Sequence, residues 1–486
     1  MPVKRKFAFF RKRQYRLAPS SFAMARKHIL CITIPGYGHL TPLLALARKL
    51  GAIHQVTFAV SAHTANQLQQ RQLYHVATDG KFIQLYGIPD GIDFDFDDPT
   101  DPTVLQRISQ LMIRGIEQLV GGIPTRDTKH SSIRGIADAV DVIIADHNIG
   151  LKATQIIVDR HVPLCTFIPS GVYCIQMVLA FNEKAYREQK LPKPSKGFFS
   201  LPNADGYFDE PPLETLVQSV IIEQKEAVPL ATVLIVNSVR SFEQKYINNY
   251  EALDQMKDKP TFCVGPLLSE DKTTTKNLAM EEKVRTWLLG REKASVICIS
   301  FGSIGTPRPE QLKELCKTIV QLDQPVIWSL KSNHYAHLPD ELKAMAQAGF
   351  EEEMVTDKKV LLVSWAPQKM VLAHENVGLF VSHCGWNSTI EALSEGKPIV
   401  GWPQFADQMI NAELVEEKGA GVVVRDAGMM DDRLVLAEEI VEKIVAARGK
   451  MEGAMALGKC VRQAVEQGGS SYREIRDLLD FIDKNQ

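Results

Sequence analysis

The densest chemistry in this sequence lies between Trp365 and Gln408, WAPQKMVLAHENVGLFVSHCGWNSTIEALSEGKPIVGWPQFADQ. Two strand-to-helix junctions fall inside it: LLVSW runs into APQKMVLAH, and GLFVSH runs through CGW into NSTIEALSEG. Such a junction sets free backbone N–H groups and the positive end of a helix at the carboxyl edge of a sheet, an anion site that needs no metal. His383, Gly385 and Asn387 stand ahead of the second helix. Glycine lets the backbone approach a ligand, and histidine and asparagine add side-chain donors. Ser388 followed by Glu391 reads as a capping box that defines the helix start. Trp365 can stack on a base, and Asp407 and Gln408 offer a carboxylate and an amide to hydroxyls. Base, diphosphate and sugar are what a sugar nucleotide presents.

Moving a sugar onto a hydroxyl also requires a general base, because a neutral hydroxyl is a poor nucleophile. His39 lies in the turn PGYGH, just after the apolar run HILCITIP, where a strand end would open onto a crevice. An imidazole there titrates near neutrality. Asp146 ends the apolar run of ADAVDVIIADHN in the same half, where a carboxylate could hold the other imidazole nitrogen. Each has a plainer reading: His39 as a histidine near a helix start, Asp146 as a helix N-cap or ion-pair member. Asp141 is the weaker rival for the partner role.

The elements that must position these groups follow from the pattern. The 486 residues suggest two to three domains of ordinary α/β composition. β-branched apolar runs alternate with helical stretches, and the β-turn-α-β opening is that of a doubly wound domain. SVICISFGS forms a further strand-to-helix junction, with Ser303 as a hydroxyl donor. A formal charge of −2 gives no reason to expect nucleic acid or an acidic membrane as partner. No apolar run reaches the roughly 18 residues of a membrane span. Eight scattered cysteines without a CxxC pair suit buried, reduced thiols, as at Cys31, Cys263 and Cys298, and a cytoplasmic setting. Residues 1–23 are basic and acid-free, read as a disordered tail or an over-long start before Met24, with an organelle-targeting peptide as the alternative. The triplets Asp93-Phe94-Asp95 and Asp95-Phe96-Asp97 could hold a divalent metal at a strand end, but in this Pro-rich loop they read as solvated charge.

The stretch from Trp365 to Gln408 closely resembles the donor-binding signature of plant-type, soluble, family 1 UDP-dependent glycosyltransferases, from Trp-Ala-Pro-Gln through His-Cys-Gly-Trp-Asn-Ser to Asp-Gln. Gly38-His39-Leu40-Thr41-Pro42 matches that family's Gly-His-x-x-Pro turn, which carries its base. The likeness covers most of the chain and is weakest over residues 60–230, where acceptor choice resides. Lys397 departs from the usual apolar residue. The resemblance implies the GT-B fold, two facing Rossmann-like domains with a cleft between them. Its division here would be an acceptor domain over 24–258, a linker over 259–280, a UDP-sugar domain over 281–455, and helices over 456–486 packing back on the first domain.

It further implies His39 as base with Asp146 as partner. Trp365 would stack on uracil, Gln368 reach uracil or ribose, and Glu391 take the ribose hydroxyls. His383, Asn387, Ser388 and Ser303 would hold the diphosphate, while Trp386, Asp407 and Gln408 face the sugar; Ala366 and Gly385 complete the donor set. The expectation is a monomer that inverts the anomeric carbon, moving a hexose, glucose above others, to a small hydrophobic hydroxylated acceptor. It would use neither metal nor cofactor, and no membrane anchor. Rival readings are another UDP-sugar, an N-, S- or C-glycoside product, or a silent sugar-nucleotide binder. A dinucleotide oxidoreductase lacks support, because no GxGxxG follows the first strand.

Overall fold

A computed structural model describes residues 26–90, 102–128, 132–184, 221–268, 275–302, 305, 307–331, 334–335, 338–339, 359–428, 431 and 433–484, with backbone alone for 102–110 and 275–277. The basic tail, the acidic loop with Asp93, Asp95 and Asp97, and Ser303 lie outside the described residues.

Valine, isoleucine and leucine dominate most strands, and all but the edge strand Ile83–Ile88 are largely buried on both faces, so a parallel sheet covered by helices is the stable outcome. The first sheet contains β1 (His28–Ile32), β2 (Gln55–Ser61), β3 (Ile83–Ile88), β4 (Val142–Asp146), β5 (Leu164–Ile168), β6 (Val233–Val236) and β7 (Thr261–Cys263). Their order is β3-β2-β1-β4-β5-β6-β7, and every pairing is parallel. The second contains β8 (Val296–Ser300), β9 (Val326–Ser329), β10 (Val360–Val363), β11 (Val377–Ser382), β12 (Ile399–Gly401) and β13 (Gly421–Val423). It runs β10-β9-β8-β11-β12-β13, again all parallel.

Both sheets reverse their winding beside their first strand, between β1 and β4 and between β8 and β11. Helices leave opposite faces at such a point and open a crevice at the carboxyl ends of the strands. His39 follows β1 and Asp146 ends β4; Gly302 follows β8 and His383 follows β11. The candidate groups therefore sit at the two switch points.

Several boundaries differ from the sequence expectation. Strand β7 pairs with β6, so the first sheet ends inside the stretch expected as linker. The helix Thr275–Leu289 starts within the same stretch. β12, three residues behind Gly396-Lys397-Pro398, is too short to show a period in sequence. Of the last two helices, Met451–Val465 sends Ala454 and Val461 into the core of the second domain. It also meets the first domain where Cys460 Sγ lies 3.3 Å from Ser241 Oγ, and Ser470–Lys484 crosses back fully, burying Ile475, Leu478, Leu479 and Ile482 with Ile29, Leu43 and Val56 of the first domain. Glu474 fixes this return by accepting from Arg240 Nε at 2.9 Å.

The two domains also share one apolar core. Phe242 and Tyr246 of the helix Arg240–Glu251 lie in the same buried cluster as Trp386, Ile390 and Ala412. All eight cysteines are unpaired. Among the described residues, no helix is long and apolar enough to cross a membrane.

Candidate active site

His39 occupies the first turn of the helix Tyr37–Gly51. Its ring is about a quarter exposed (27%), and its Nδ1 lies 2.8 Å from Oδ2 of the fully buried Asp146 carboxylate. A carboxylate only accepts, so Nδ1 carries the proton and Nε2 keeps a lone pair. Burial alone would depress the imidazole. Asp146, by charge and hydrogen bond, and Asp407, by charge, outweigh it and hold His39 above the ordinary histidine value. Burial likewise acts to raise Asp146, yet His39, His147 and the Asn148 N–H keep it below the usual carboxylate range. Asp141 is engaged elsewhere: its Oδ2 accepts from His28 N at 2.7 Å and its Oδ1 from Arg126.

His39, Asp146 and His147 present ligand-type atoms within 4.8 Å of one another. The His39 nitrogen facing the carboxylate bears a proton directed at it, so a metal there would have to displace that hydrogen bond.

The donor box forms two loops beside this pair. The second helix runs Trp386–Ser394 with Gly385 as its N-cap and no side-chain cap. The expected capping box does not form, because the backbone is already helical by Trp386 and Ser388 lies inside the first turn. Ser388 and Glu391 instead bind Gln368, whose Nε2 donates to Ser388 Oγ at 3.1 Å and to Glu391 Oε2 at 2.8 Å. That cluster joins the two junctions. Trp365, at the start of the first, is half exposed (51%), a free face for stacking, while Ala366 is buried in the core.

His383 is wedged between two glycines. A Cβ on Gly302, whose φ is +78°, or on Gly385 would come within 2.6 Å of its Nε2. Burial pushes the His383 imidazole down to about 4, so it stays neutral, and its buried Nδ1 has no hydrogen-bond partner. Beside it Cys384 adopts φ 60°, and before Asp407 Ala406 adopts φ 53°. A non-glycine residue in the left-handed region is strained and persists only where its surroundings hold it. Asn411 supplies that hold. Its buried Nδ2 donates to Cys384 O and to Asp407 Oδ2, each at 3.0 Å. Sequence reading passed over Asn411; its one signal is a position one helical turn after Asp407.

Two residues expected to face the sugar are committed inward. Trp386 is buried, stacks on Phe242 and donates from Nε1 to Asn237 O at 2.7 Å. Gln408 is buried, and its Oε1 accepts from Gln404 N and Phe405 N at 2.8 and 3.1 Å. Asp407 is held by Asn411, and its charge acts on His39 of the other domain. Asn387 reaches across as well, donating from Nδ2 to Gly38 O at 3.2 Å. Lys397 has a structural task, donating from Nζ to the carbonyls of His374 and Val377.

Residues 275–462 match the family model described as UDP-glucoronosyl and UDP-glucosyl transferase. UDP-glycosyltransferase 73C11 of Barbarea vulgaris is 31% identical over 275 residues, covering 51% of this chain and 54% of the relative, so the chain spans about half the length of that curated relative. UDP-glycosyltransferase 72E1 of Arabidopsis thaliana is 27% identical over 489 residues, covering 94% of this chain and 96% of the relative. Among solved structures, Medicago truncatula UGT71G1 complexed with UDP-glucose superposes with a TM-score of 0.71 at 23% identity, over 94% of this chain and 98% of that one. Arabidopsis thaliana UGT89C1 gives 0.70 at 21% identity, over 94% and 100%. These place the two doubly wound sheets in the GT-B fold. With the signature stretch in one domain and the Gly-His turn in the other, the chain is similar to plant UDP-glycosyltransferases along most of its length, and its second domain matches their family model.

Proposed function

We propose that the protein transfers a hexose, glucose above others, from a UDP-sugar to a hydroxyl of a small lipophilic acceptor, inverting the anomeric carbon. The observation that carries this reading is the His39–Asp146 pair, set at one switch point beside the Gly38 carbonyl that Asn387 of the other domain reaches.

The acceptor hydroxyl gives its proton to His39 Nε2 as its oxygen attacks the anomeric carbon. The bond from that carbon to the diphosphate oxygen breaks, and UDP leaves with the electron pair. Asp146 stabilises the imidazolium, and solvent takes the proton on product release. The leaving charge meets the N-terminus of the helix Trp386–Ser394, the unpartnered His383 Nδ1 and the Ser388 hydroxyl. Ser303, by resemblance, would add a further donor. Trp365 offers its exposed face to uracil, while Gln368 and Glu391 stand together for uracil and ribose. Asp407 takes sugar hydroxyls, and Gln408 contributes its remaining amide N–H group. The glucose preference rests on this Asp-Gln ending.

The test is purified protein with UDP-glucose and a panel of phenols, read by product mass and by the anomeric coupling constant of the product. A β-glucoside from the α-linked donor supports the reading. Release of UDP without a glycoside, or no turnover of any UDP-sugar, removes it.

A further inference from the structure

The proposed mechanism gives no task to His147, yet this histidine is built into the base. Its ring stacks on His39, centroids 5.7 Å apart and planes 17° from parallel. Only a tenth of its side chain is exposed, and its backbone N–H is tied to Phe167 O at 3.1 Å. Both imidazoles turn Nδ1 toward the same carboxylate, His39 toward Oδ2 at 2.8 Å and His147 toward Oδ1 at 3.4 Å. Asn148 N donates to Oδ1 as well, at 2.9 Å.

The carboxylate decides the tautomer of His147. An unprotonated Nδ1 would set a lone pair against a carboxylate oxygen, so Nδ1 bears the proton and Nε2 accepts. The acceptor finds its donor in Asn148 Nδ2, 3.2 Å away. The Asn148 Oδ1 is held in turn by Gln224 Nε2 from the helix Glu223–Ala227. A polar chain thus runs Gln224, Asn148, His147, Asp146, His39. Burial, then the neighbouring His39, oppose protonation of His147 and outweigh Asp146, so the ring stays neutral, at about 4. The charged or titratable groups acting on this pair are Asp146, at the Nδ1 edge of both rings, and Asp407, which acts on His39.

We infer that His147 is a positioning residue for the general base: its neutral Nδ1–H, oriented by Asn148 and Gln224, takes up part of the Asp146 charge and aims Oδ2 at His39. This inference rests on the transferase reading. At 3.4 Å the buried Nδ1 makes no hydrogen bond to Oδ1, so its effect on the carboxylate is electrostatic and modest. Without it Asp146 meets His39 alone, holds the imidazolium harder, and keeps the base protonated to higher pH.

The experiment uses His147→Phe, which keeps a stacked ring and deletes the N–H. The His39 titration is followed by carbon-13 NMR of histidine-labelled protein without substrate, the resonance being assigned with His39→Gln. The His39 midpoint should rise by about half a pH unit. The acid limb of kcat/KM should move by the same amount, and kcat at neutral pH should fall about two- to threefold with the UDP-sugar KM unchanged. Asn148→Ala, which frees Nε2 and lets the ring turn away, should give a smaller rise in the same direction, and it carries the test if the first variant fails to fold. An unchanged or lowered His39 midpoint in a folded variant overturns the inference. The NMR measurement needs no turnover, so absence of transfer by the unaltered protein counts against the proposed function alone.

Discussion

Asn387 donates from Nδ2 to Gly38 O at 3.2 Å, joining the donor signature of one domain to the turn that carries His39 in the other. The bond places the first residues of the helix Trp386–Ser394 against the first turn of the helix Tyr37–Gly51. Two helix N-termini, each positive, therefore converge where a diphosphate would be expelled and a hydroxyl activated. Every proposed role depends on this convergence, and the predictions below test its parts separately.

His39→Ala should abolish transfer, by at least about a hundredfold, because the proposed proton acceptor for the reacting hydroxyl is gone. UDP affinity, measured by calorimetry, should stay within about twofold, since Asp146 and His39 lie outside the nucleotide-holding domain. Retained turnover would remove His39 as base.

The pH profile should be shifted upward. His39 must be neutral to accept a proton, and Asp146 and Asp407 hold its pKa above the ordinary histidine value against the lowering effect of burial. The acid limb of kcat/KM should therefore lie above that value, with activity lost as pH falls through it. Asp146→Asn removes the larger raising group while burial remains. Its limb should move to lower pH as its maximal rate drops, and a limb that stays in place would contradict this account.

Gly385→Ala should weaken donor binding without unfolding the protein. The new methyl would lie 2.6 Å from His383 Nε2, so the ring must turn and carry Nδ1 out of position. A rise in UDP-sugar KM of about tenfold or more, with an unchanged circular dichroism spectrum, is the expected result. An unchanged KM would separate His383 from the diphosphate.

Trp386→Phe should cost stability. It keeps a buried ring against Phe242 but leaves Asn237 O without its Nε1–H donor, at about 1–3 kcal/mol for an unsatisfied buried group. Asn237 also donates to Pro169 O and accepts from Leu267 N, so the loss falls on the seam between the domains. A lowered urea midpoint would show it. An equal midpoint would mean that the carbonyl finds water.

Chelation should leave transfer intact. The proposed charge stabilisers are a helix terminus, a neutral imidazole and hydroxyls, none of which needs an ion. Activity that disappears in EDTA and returns with a divalent cation would refute this, and would redirect attention to His39, Asp146 and His147.

Much of this was legible in the sequence, for physical reasons. Apolar β-branched runs reveal buried parallel strands because such strands need no polar face, and both sheets followed from them. The Trp365 to Gln408 stretch marked two strand-to-helix loops because glycine, asparagine and histidine at fixed spacing suit such a turn. His39 and Asp146, 107 positions apart, could be nominated, but only the adjacency of β1 and β4 puts their atoms 2.8 Å apart. Trp386, Gln408 and Asn411 show what local pattern cannot carry. Their tasks depend on which partner the second domain or a neighbouring loop brings to them, and Trp386 turned out to hold the seam while Asn411 clamps two loops. Spacing along the chain determined the kinds of groups available; packing of two sheets against each other decided which of them face the cleft and which hold it together.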